Sequence, residues 1–117
     1  MIYVHIGAGA GDLDAGALFR DGFSEFVKQI DDDDKRIYVV EANPSNISKL
    51  EETWKDYKNV EIFNFAISSS AKYEKKIKFY YSLDDAPHYQ QFSNNINHIK
   101  KIYKDLDRIK FKYIDCV

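Results

Sequence analysis

The sequence contains a single cysteine, Cys116, and few residues at the spacing of a metal site. One cysteine cannot form a disulfide within the chain, and no pair of ligands has the spacing of a zinc site. His88 and His98 do not stand at the spacing of a metal site. We therefore predict a protein with neither a disulfide nor a bound metal.

The sequence also lacks a strong charge excess and a long apolar run. The formal net charge is −2, so the chain has no overall electrostatic footprint for nucleic acid. We interpret a late group of basic residues as a solvated face: Lys100, Lys101, Lys104, Arg108, Lys110 and Lys112. No apolar run is long enough to span a bilayer, and no signal-peptide pattern opens the chain. We expect a cytoplasmic protein with no nucleic-acid partner and no membrane partner.

The length and periodicity of the chain predict one α/β domain over residues 1–117. The 117 residues, 44% of them hydrophobic, fit one globular domain. Apolar strand patterns over 2–6, 37–40 and 60–65 alternate with helical patterns. Because right-handed crossovers join parallel strands, we expect a sheet in the order 3-2-1. The predicted fold is a Rossmann-like parallel sheet with flanking helices and an incomplete second half.

The helix signals differ in strength along the chain. A first helix is predicted from apolar positions at Leu13, Ala17, Leu18, Phe23, Phe26, Val27 and Ile30, which Gly16 and Gly22 interrupt or weaken. A second helix has the clearest start, because Asn43 can cap it and Pro44 can occupy its first position. Ile47, Leu50, Trp54 and Tyr57 then share one of its faces. The acidic run over 31–34 between these helices is interpreted as a solvated turn.

The last third of the chain predicts a different arrangement. Residues 76–81 alternate as a strand, expected to be antiparallel because the connection before it is short. Residues 83–91 are interpreted as a connection, and Ser93 as the cap of a last helix. That helix carries apolar residues at Ile96, Ile99, Ile102 and Leu106. A final strand is predicted over 109–114.

The glycine run after the first strand is the strongest functional signal. Gly7, Gly9 and Gly11 stand at alternate positions, and Glu41 ends the second strand, where doubly wound folds hold a ribose. The spacing Gly-x-Gly-x-Gly, with Asp12 next, departs from the dinucleotide fingerprint, and no Gly-Lys-Ser/Thr follows as in a phosphate-binding P-loop. An acid at this point disfavours a pyrophosphate but suits a ligand bearing a cation.

These residues resemble a known family. His5-Ile-Gly-Ala-Gly-Ala-Gly11, Val40-Glu-Ala-Asn-Pro44 and Asn64-Phe-Ala-Ile67 are similar to the first half of class I S-adenosylmethionine-dependent methyltransferases, most closely the FkbM type. The resemblance covers residues 2–82. It implies that the glycine loop wraps the methionine part of the cofactor, that the acid after strand two holds the ribose hydroxyls, and that the segment after strand three lies near adenine. The implied contacts with S-adenosylmethionine are His5, Gly7, Ala8, Gly9, Gly11, Glu41, Ala42, Phe65 and Ala66.

Two departures from that family affect the functional hypothesis. The family carries an acid where this chain has His5, and that acid helps to organise the amino-acid end of the cofactor. The family also continues with an Ile-Asp-x-Glu-Gly strand that this sequence lacks. We therefore expect a chain truncated at its C-terminus, in which a separate C-terminal half or homo-oligomerisation would complete the sheet.

The resemblance implies methyl transfer to a small or sugar-like hydroxylated acceptor. The sequence assigns no catalytic residue: Asp85, His88 and His98 are weighed as acceptor-side groups and Tyr80, Tyr81 and Tyr89 as stacking groups, with ordinary surface or packing roles favoured for all of them. Two other functions stay open. One is a nicotinamide-dependent oxidoreductase fragment, and the other is a non-catalytic remnant.

Overall fold

The computed structural model describes residues 1–13, 21–69, 75–83 and 92–117. Contacts between residues group the chain into two compact units, Met1–Asn64 and Phe65–Val117. The architecture is mixed α/β, as predicted. The interpretation of residues 1–117 as one methyltransferase-like domain stays a prediction.

The first unit is built on a parallel three-stranded sheet. Its strands are β1 (Ile2–Ile6), β2 (Arg36–Val40) and β3 (Val60–Phe63), hydrogen-bonded in the order β1-β2-β3. Both pairings are parallel, with His5 opposite Val39 in the first. The predicted order 3-2-1 is confirmed. β3 ends two residues earlier than predicted, because its register pairs Phe63 with Val40, the last residue of β2, so β2 offers Asn64 no further strand partner.

The first helix of the structure, α1, runs from Gly22 to Lys28. Asp21 caps it by accepting a hydrogen bond from the Ser24 backbone N–H at 3.3 Å. Residues 14–20, where the predicted helix would begin, lie outside the described residues, so Gly16, Ala17 and Leu18 are not located. The predicted apolar face is wrong at Phe26, which is 64% exposed. It is confirmed at Val27, which is fully buried, because a helix this short turns only one narrow face to the sheet.

The second helix, α2, covers Ile47–Trp54 and follows a short 3₁₀ turn, Pro44–Asn46. Asn43 caps this 3₁₀ turn and not α2 itself: its side-chain oxygen accepts hydrogen bonds from the backbone N–H and the hydroxyl of Ser45, with Pro44 as the first residue of the turn. Asn46, directly before α2, makes no side-chain cap bond. Leu50 and Trp54 are buried, as the periodicity predicts.

Both helices pack on the same face of the sheet. The buried cluster combines Val27 of α1, Leu50 and Trp54 of α2, Ile37 and Val39 of β2, and Ala8 of the following turn. Because side chains alternate along a strand, Ile2, Val4 and Ile6 of β1 face the other way, and each is more than half exposed. The carboxyl ends of the three parallel strands thus lie at one edge of the sheet, and α1 and α2 both pack on one of its faces.

The second unit contains an antiparallel ribbon and one helix. The ribbon pairs β4 (Lys76–Ser82) with β5 (Ile109–Asp115) in antiparallel orientation. The short connection before β4 predicts pairing with the preceding strand, but the partner of β4 is β5, in a sheet separate from β1-β2-β3. The helix α3 covers Ile96–Ile102, and its cap is Asn95, not the predicted Ser93. Ser93 instead exchanges two backbone hydrogen bonds with Tyr80 and so extends the ribbon.

Of two further predictions on the second unit, one is wrong and the other lies largely outside the described residues. Leu106 is wrongly assigned to the last helix, because it lies in a separate 3₁₀ turn, Leu106–Arg108, and is exposed. Most of the predicted connection over 83–91 lies outside the described residues, and with it Asp85, His88 and Tyr89.

Candidate functional site

The glycine turn lies across the carboxyl end of β2. The backbone N–H groups of Gly7 and Ala8 both donate to the Val40 carbonyl oxygen, at 2.9 and 3.1 Å. Gly7, Gly9 and Gly11 all have positive φ, between 62° and 73°. L residues with a Cβ rarely adopt that conformation, so the alternate glycines follow from the shape of the turn.

Gly7 and Gly11 have different surroundings. A Cβ on Gly7 would meet no heavy atom within 4 Å among the described residues, whereas one on Gly11 would lie 2.6 Å from Thr53 Oγ1. Gly11 therefore permits close packing of the turn against α2. Gly7 leaves the backbone at the end of β1 open to an approaching molecule.

Glu41 joins the glycine turn to the backbone after β2. Its Oε2 accepts a hydrogen bond from Gly9 N–H at 2.7 Å, and its Oε1 accepts one from Asn43 N–H at 2.8 Å. The residue is only 8% exposed. An ionised carboxylate offers about four lone-pair positions, so each oxygen can accept one more hydrogen bond. The structure thus brings together Gly9 and Glu41, two residues that the sequence assigns to one site.

Asn64 supports the same corner, and the sequence analysis did not single it out as a site residue. Its side-chain amide donates to the carbonyl oxygens of Glu41 at 2.9 Å and Ala42 at 3.0 Å. The signal that could have found it is its position directly after β3, because parallel strands end at a common edge.

His5 lies at the end of β1 with its ring stacked on Phe23, at 4.4 Å between ring centroids. Its Nδ1 is buried, has no hydrogen-bond partner among the described residues, and is 3.7 Å from Asp21 Oδ2. That separation is an ion-pair distance if the imidazole is protonated, and it is too long for a hydrogen bond. Asp21 was not predicted as a site residue, because fifteen residues separate it from His5 in the sequence and local patterns do not relate positions so far apart.

Asp12 binds a cation of the chain itself. Lys28 Nζ lies 2.9 Å from Asp12 Oδ2 and 2.7 Å from the Thr53 carbonyl oxygen. Ser24 Oγ donates to the same carboxylate oxygen at 3.1 Å. Lys28 also lies 5.2 Å from the ring centroid of Trp54. These contacts hold the glycine turn between α1 and α2, so Asp12 has a structural partner in addition to any ligand.

The remaining predicted site residues have different settings. Ala8 is buried in the core cluster, and Ala42 is half-buried beside Glu41. Phe65 and Ala66 open the second unit, where Ala66 exchanges backbone hydrogen bonds with Asp115 and Val117. Their role near adenine stays a prediction.

The other candidate groups do not form a second centre in the described part of the chain. The acidic run over 31–34 is largely exposed, as predicted. No group of three metal-ligating side chains occurs among the described residues. Within the same residues, no helix has the length and apolar character that crossing a membrane requires. Tyr80 and Tyr81 lie in β4, and His98 is exposed on α3.

Comparison of the chain with protein-family models, curated proteins and solved structures finds no match.

Proposed function

We propose that this chain carries the cofactor half-site of an S-adenosylmethionine-dependent methyltransferase, of the FkbM type that its motifs resemble, on a Rossmann-like sheet. One observation supports this most strongly: the buried carboxylate of Glu41 is bonded to Gly9 of the glycine turn at 2.7 Å. A carboxylate held at the carboxyl edge of a parallel sheet, beside an open turn, is the arrangement that binds the ribose of a nucleotide-like ligand.

The residues of the corner fit such a ligand. Glu41 has lone pairs left for two ribose hydroxyl donors while it keeps its bonds to Gly9 and Asn43. The open backbone at Gly7 would admit the methionine part without a clash against a Cβ. His5 replaces the acid of the family, and Asp21 beside it provides a negative charge for the ligand's ammonium group.

The chemistry then requires mainly alignment. S-adenosylmethionine, when bound, supplies a methyl group on its sulfonium sulfur: an acceptor atom bonds to the methyl carbon in line with the breaking carbon–sulfur bond, and S-adenosylhomocysteine is the leaving group. Glu41 and the glycine turn bind and orient, and orientation alone can supply much of the rate in such a displacement. A small or sugar-like hydroxylated acceptor belongs to the same proposal and rests on the resemblance. A cytoplasmic location, which the sequence patterns predict, is also part of the proposal. No described residue is assigned as the base that removes the acceptor proton.

The glycine turn favours this ligand over a nicotinamide dinucleotide. The described chain after Gly11 forms a single 3₁₀ turn, Gly11–Leu13, that contains the carboxylate of Asp12. Lys28 pairs with that carboxylate at 2.9 Å, so the charge of Asp12 does not by itself repel a pyrophosphate. The preference rests on the spacing Gly-x-Gly-x-Gly, which departs from the dinucleotide fingerprint Gly-x-Gly-x-x-Gly.

Calorimetric titration of the 117-residue chain with S-adenosylhomocysteine and, separately, with NAD tests the proposal. We expect binding of S-adenosylhomocysteine and a loss of at least about tenfold in Glu41→Gln, since hydrogen bonds to a charged group contribute roughly 1.5–3 kcal/mol. Glu51→Gln, on the exposed face of α2, is the matched control and should change affinity less than about twofold.

Three results would contradict the proposal. These are preferential binding of NAD, binding of neither ligand, and equal affinities for wild type and Glu41→Gln. Because Glu41 also holds the turn, circular dichroism and the fluorescence of the single tryptophan, Trp54, should first show that the Gln variant is folded.

A further inference from the structure

One face of the β4–β5 ribbon presents aromatic rings around a lysine. In the antiparallel register Lys78 is opposite Tyr113, and Tyr80 is opposite Phe111, so these four side chains share a face. We call Lys78, Tyr80, Phe111 and Tyr113 the aromatic face. None of them belongs to the corner at Glu41, and the proposed methyltransferase site does not use them.

Two rings of the aromatic face are largely exposed, and the third, Tyr80, is half-buried. Phe111 is 53% exposed and Tyr113 is 58% exposed. Phe111 makes edge contacts with Tyr113 and Tyr80, at centroid distances of 5.9 and 6.4 Å. Lys78 Nζ lies 4.4 Å from the Phe111 centroid. A row of exposed rings with a cation among them is typical of a binding platform.

On the opposite face of the ribbon, aromatic rings pack against another ring of the second unit. Phe79 stacks on Phe92 with a centroid distance of 4.6 Å and an interplanar angle of 1°, and Tyr81 also contacts Phe92. The two faces of the ribbon therefore differ: Phe79 stacks on a ring of the same unit, whereas Phe111 and Tyr113 on the other face are more than half exposed.

Charge divides unevenly between the two units. Residues 1–64 contain 7 Lys and Arg against 13 Asp and Glu, a net charge of −6, whereas residues 65–117 contain 10 against 6, a net charge of +4. At the end of the aromatic face Lys76 pairs with Asp115 at 2.8 Å, so the charge of the face itself comes from Lys78. The second unit is thus a basic body with an aromatic surface.

We propose that the aromatic face binds single-stranded nucleic acid. Unpaired bases can stack on Phe111 and Tyr113 if the Lys78 ammonium, which lies over these rings, moves aside to a phosphate, and the positive charge of the second unit attracts the phosphates as well. A duplex keeps its bases stacked on each other, so it cannot use the rings. The expectation of no nucleic-acid partner rests on the net charge of the whole chain and on the interpretation of the late basic residues as a solvated face, and neither considers the net charge of the second unit together with its exposed rings.

Fluorescence anisotropy with a labelled 12-nucleotide oligothymidine tests the proposal. We expect a Kd on the order of 10–100 μM near physiological salt, with affinity falling as salt rises. Phe111→Ala and Tyr113→Ala should each weaken binding by about fivefold or more, because stacking of one base on a ring has that value. Phe26→Ala, which removes an exposed phenylalanine of the first unit, is the matched control and should leave the affinity within about twofold.

Further probes separate base stacking from simple charge attraction. An abasic oligomer of the same length, the matching duplex and heparin should each bind more weakly than the oligothymidine, and vesicles of phosphatidylserine should not compete. Equal binding of the abasic oligomer or of heparin, unchanged affinity in both aromatic variants, or no oligonucleotide binding would overturn the proposal. Glu41→Gln should bind the oligonucleotide normally, so failure of the cofactor proposal is distinguishable from failure of this one.

Discussion

Alanine substitution at three glycines should have effects of different sign and size, because the three positions differ in backbone conformation and in space. Gly22, the first residue of α1, has neither a positive φ nor a heavy atom within 4 Å of a built Cβ among the described residues. Gly7 has φ +73° and open space. Gly11 has φ +62° and a Cβ position 2.6 Å from Thr53 Oγ1 and 3.2 Å from Leu50 Cδ2.

These geometries give expected changes in the free energy of unfolding. Gly22→Ala should stabilise the protein by about 0.4–1 kcal/mol, because alanine restricts the unfolded chain. Gly7→Ala should destabilise it by about 1 kcal/mol, since a left-handed conformation costs a residue with a Cβ roughly 1–2 kcal/mol before the unfolded-state gain. Gly11→Ala should cost about 2–4 kcal/mol, because overpacking adds roughly 1–3 kcal/mol to the same conformational penalty.

Urea unfolding followed by Trp54 fluorescence is the suitable assay, because Trp54 is the only tryptophan and is buried in the core of the first unit. A double-mutant cycle with Thr53→Ala separates the steric part at Gly11. Removing the threonine oxygen and methyl should recover about 1–2 kcal/mol in the Gly11→Ala background beyond additivity. A steric clash at Gly11 is ruled out if Gly11→Ala lowers the free energy of unfolding no more than Gly7→Ala does, or if the effects of Gly11→Ala and Thr53→Ala on that free energy are additive.

Two further predictions concern the elements around the turn. Lys28→Met keeps the aliphatic stem but removes the hydrogen bonds to Asp12 and the Thr53 carbonyl, so urea unfolding should show a free energy of unfolding lower by about 1–3 kcal/mol. If 0.5 M salt lowers the free energy of unfolding of the wild type by the same amount, the contact is instead a surface ion pair that salt screens. Asn43→Ala should cost about 1 kcal/mol by removing the cap before α2, whereas Asn43→Asp should retain most of that stability, and equal losses in the two variants would argue against capping.

The parts of the fold that depend on near neighbours were predictable from residue patterns. The alternation in β1 and β2 and the Asn43-Pro44 start before α2 concern contacts within a few residues, and the structure confirms them. The order of the parallel strands was also predictable, because the handedness of crossovers leaves few arrangements.

The errors arose where an element is short or has a competing partner. Phe26 fits the helical period but is exposed, since a seven-residue helix buries little more than Ser24 and Val27. Ser93 has the chemistry of a cap, yet its backbone pairs with Tyr80, and Asn95 caps α3 instead.

For the candidate site, residue types and spacing predicted the glycines and Glu41, because a tight turn and a carboxylate at a strand end have recognisable local sequence patterns. The hydrogen bond between Glu41 and Gly9 joins residues 32 positions apart, and Lys28 bridges Asp12 and Thr53 across two separate elements. No local pattern specifies such partners, because they meet only when the chain folds back on itself. The same holds for the aromatic face, whose residues come from two strands and whose exposure depends on which side of the ribbon the remaining chain covers.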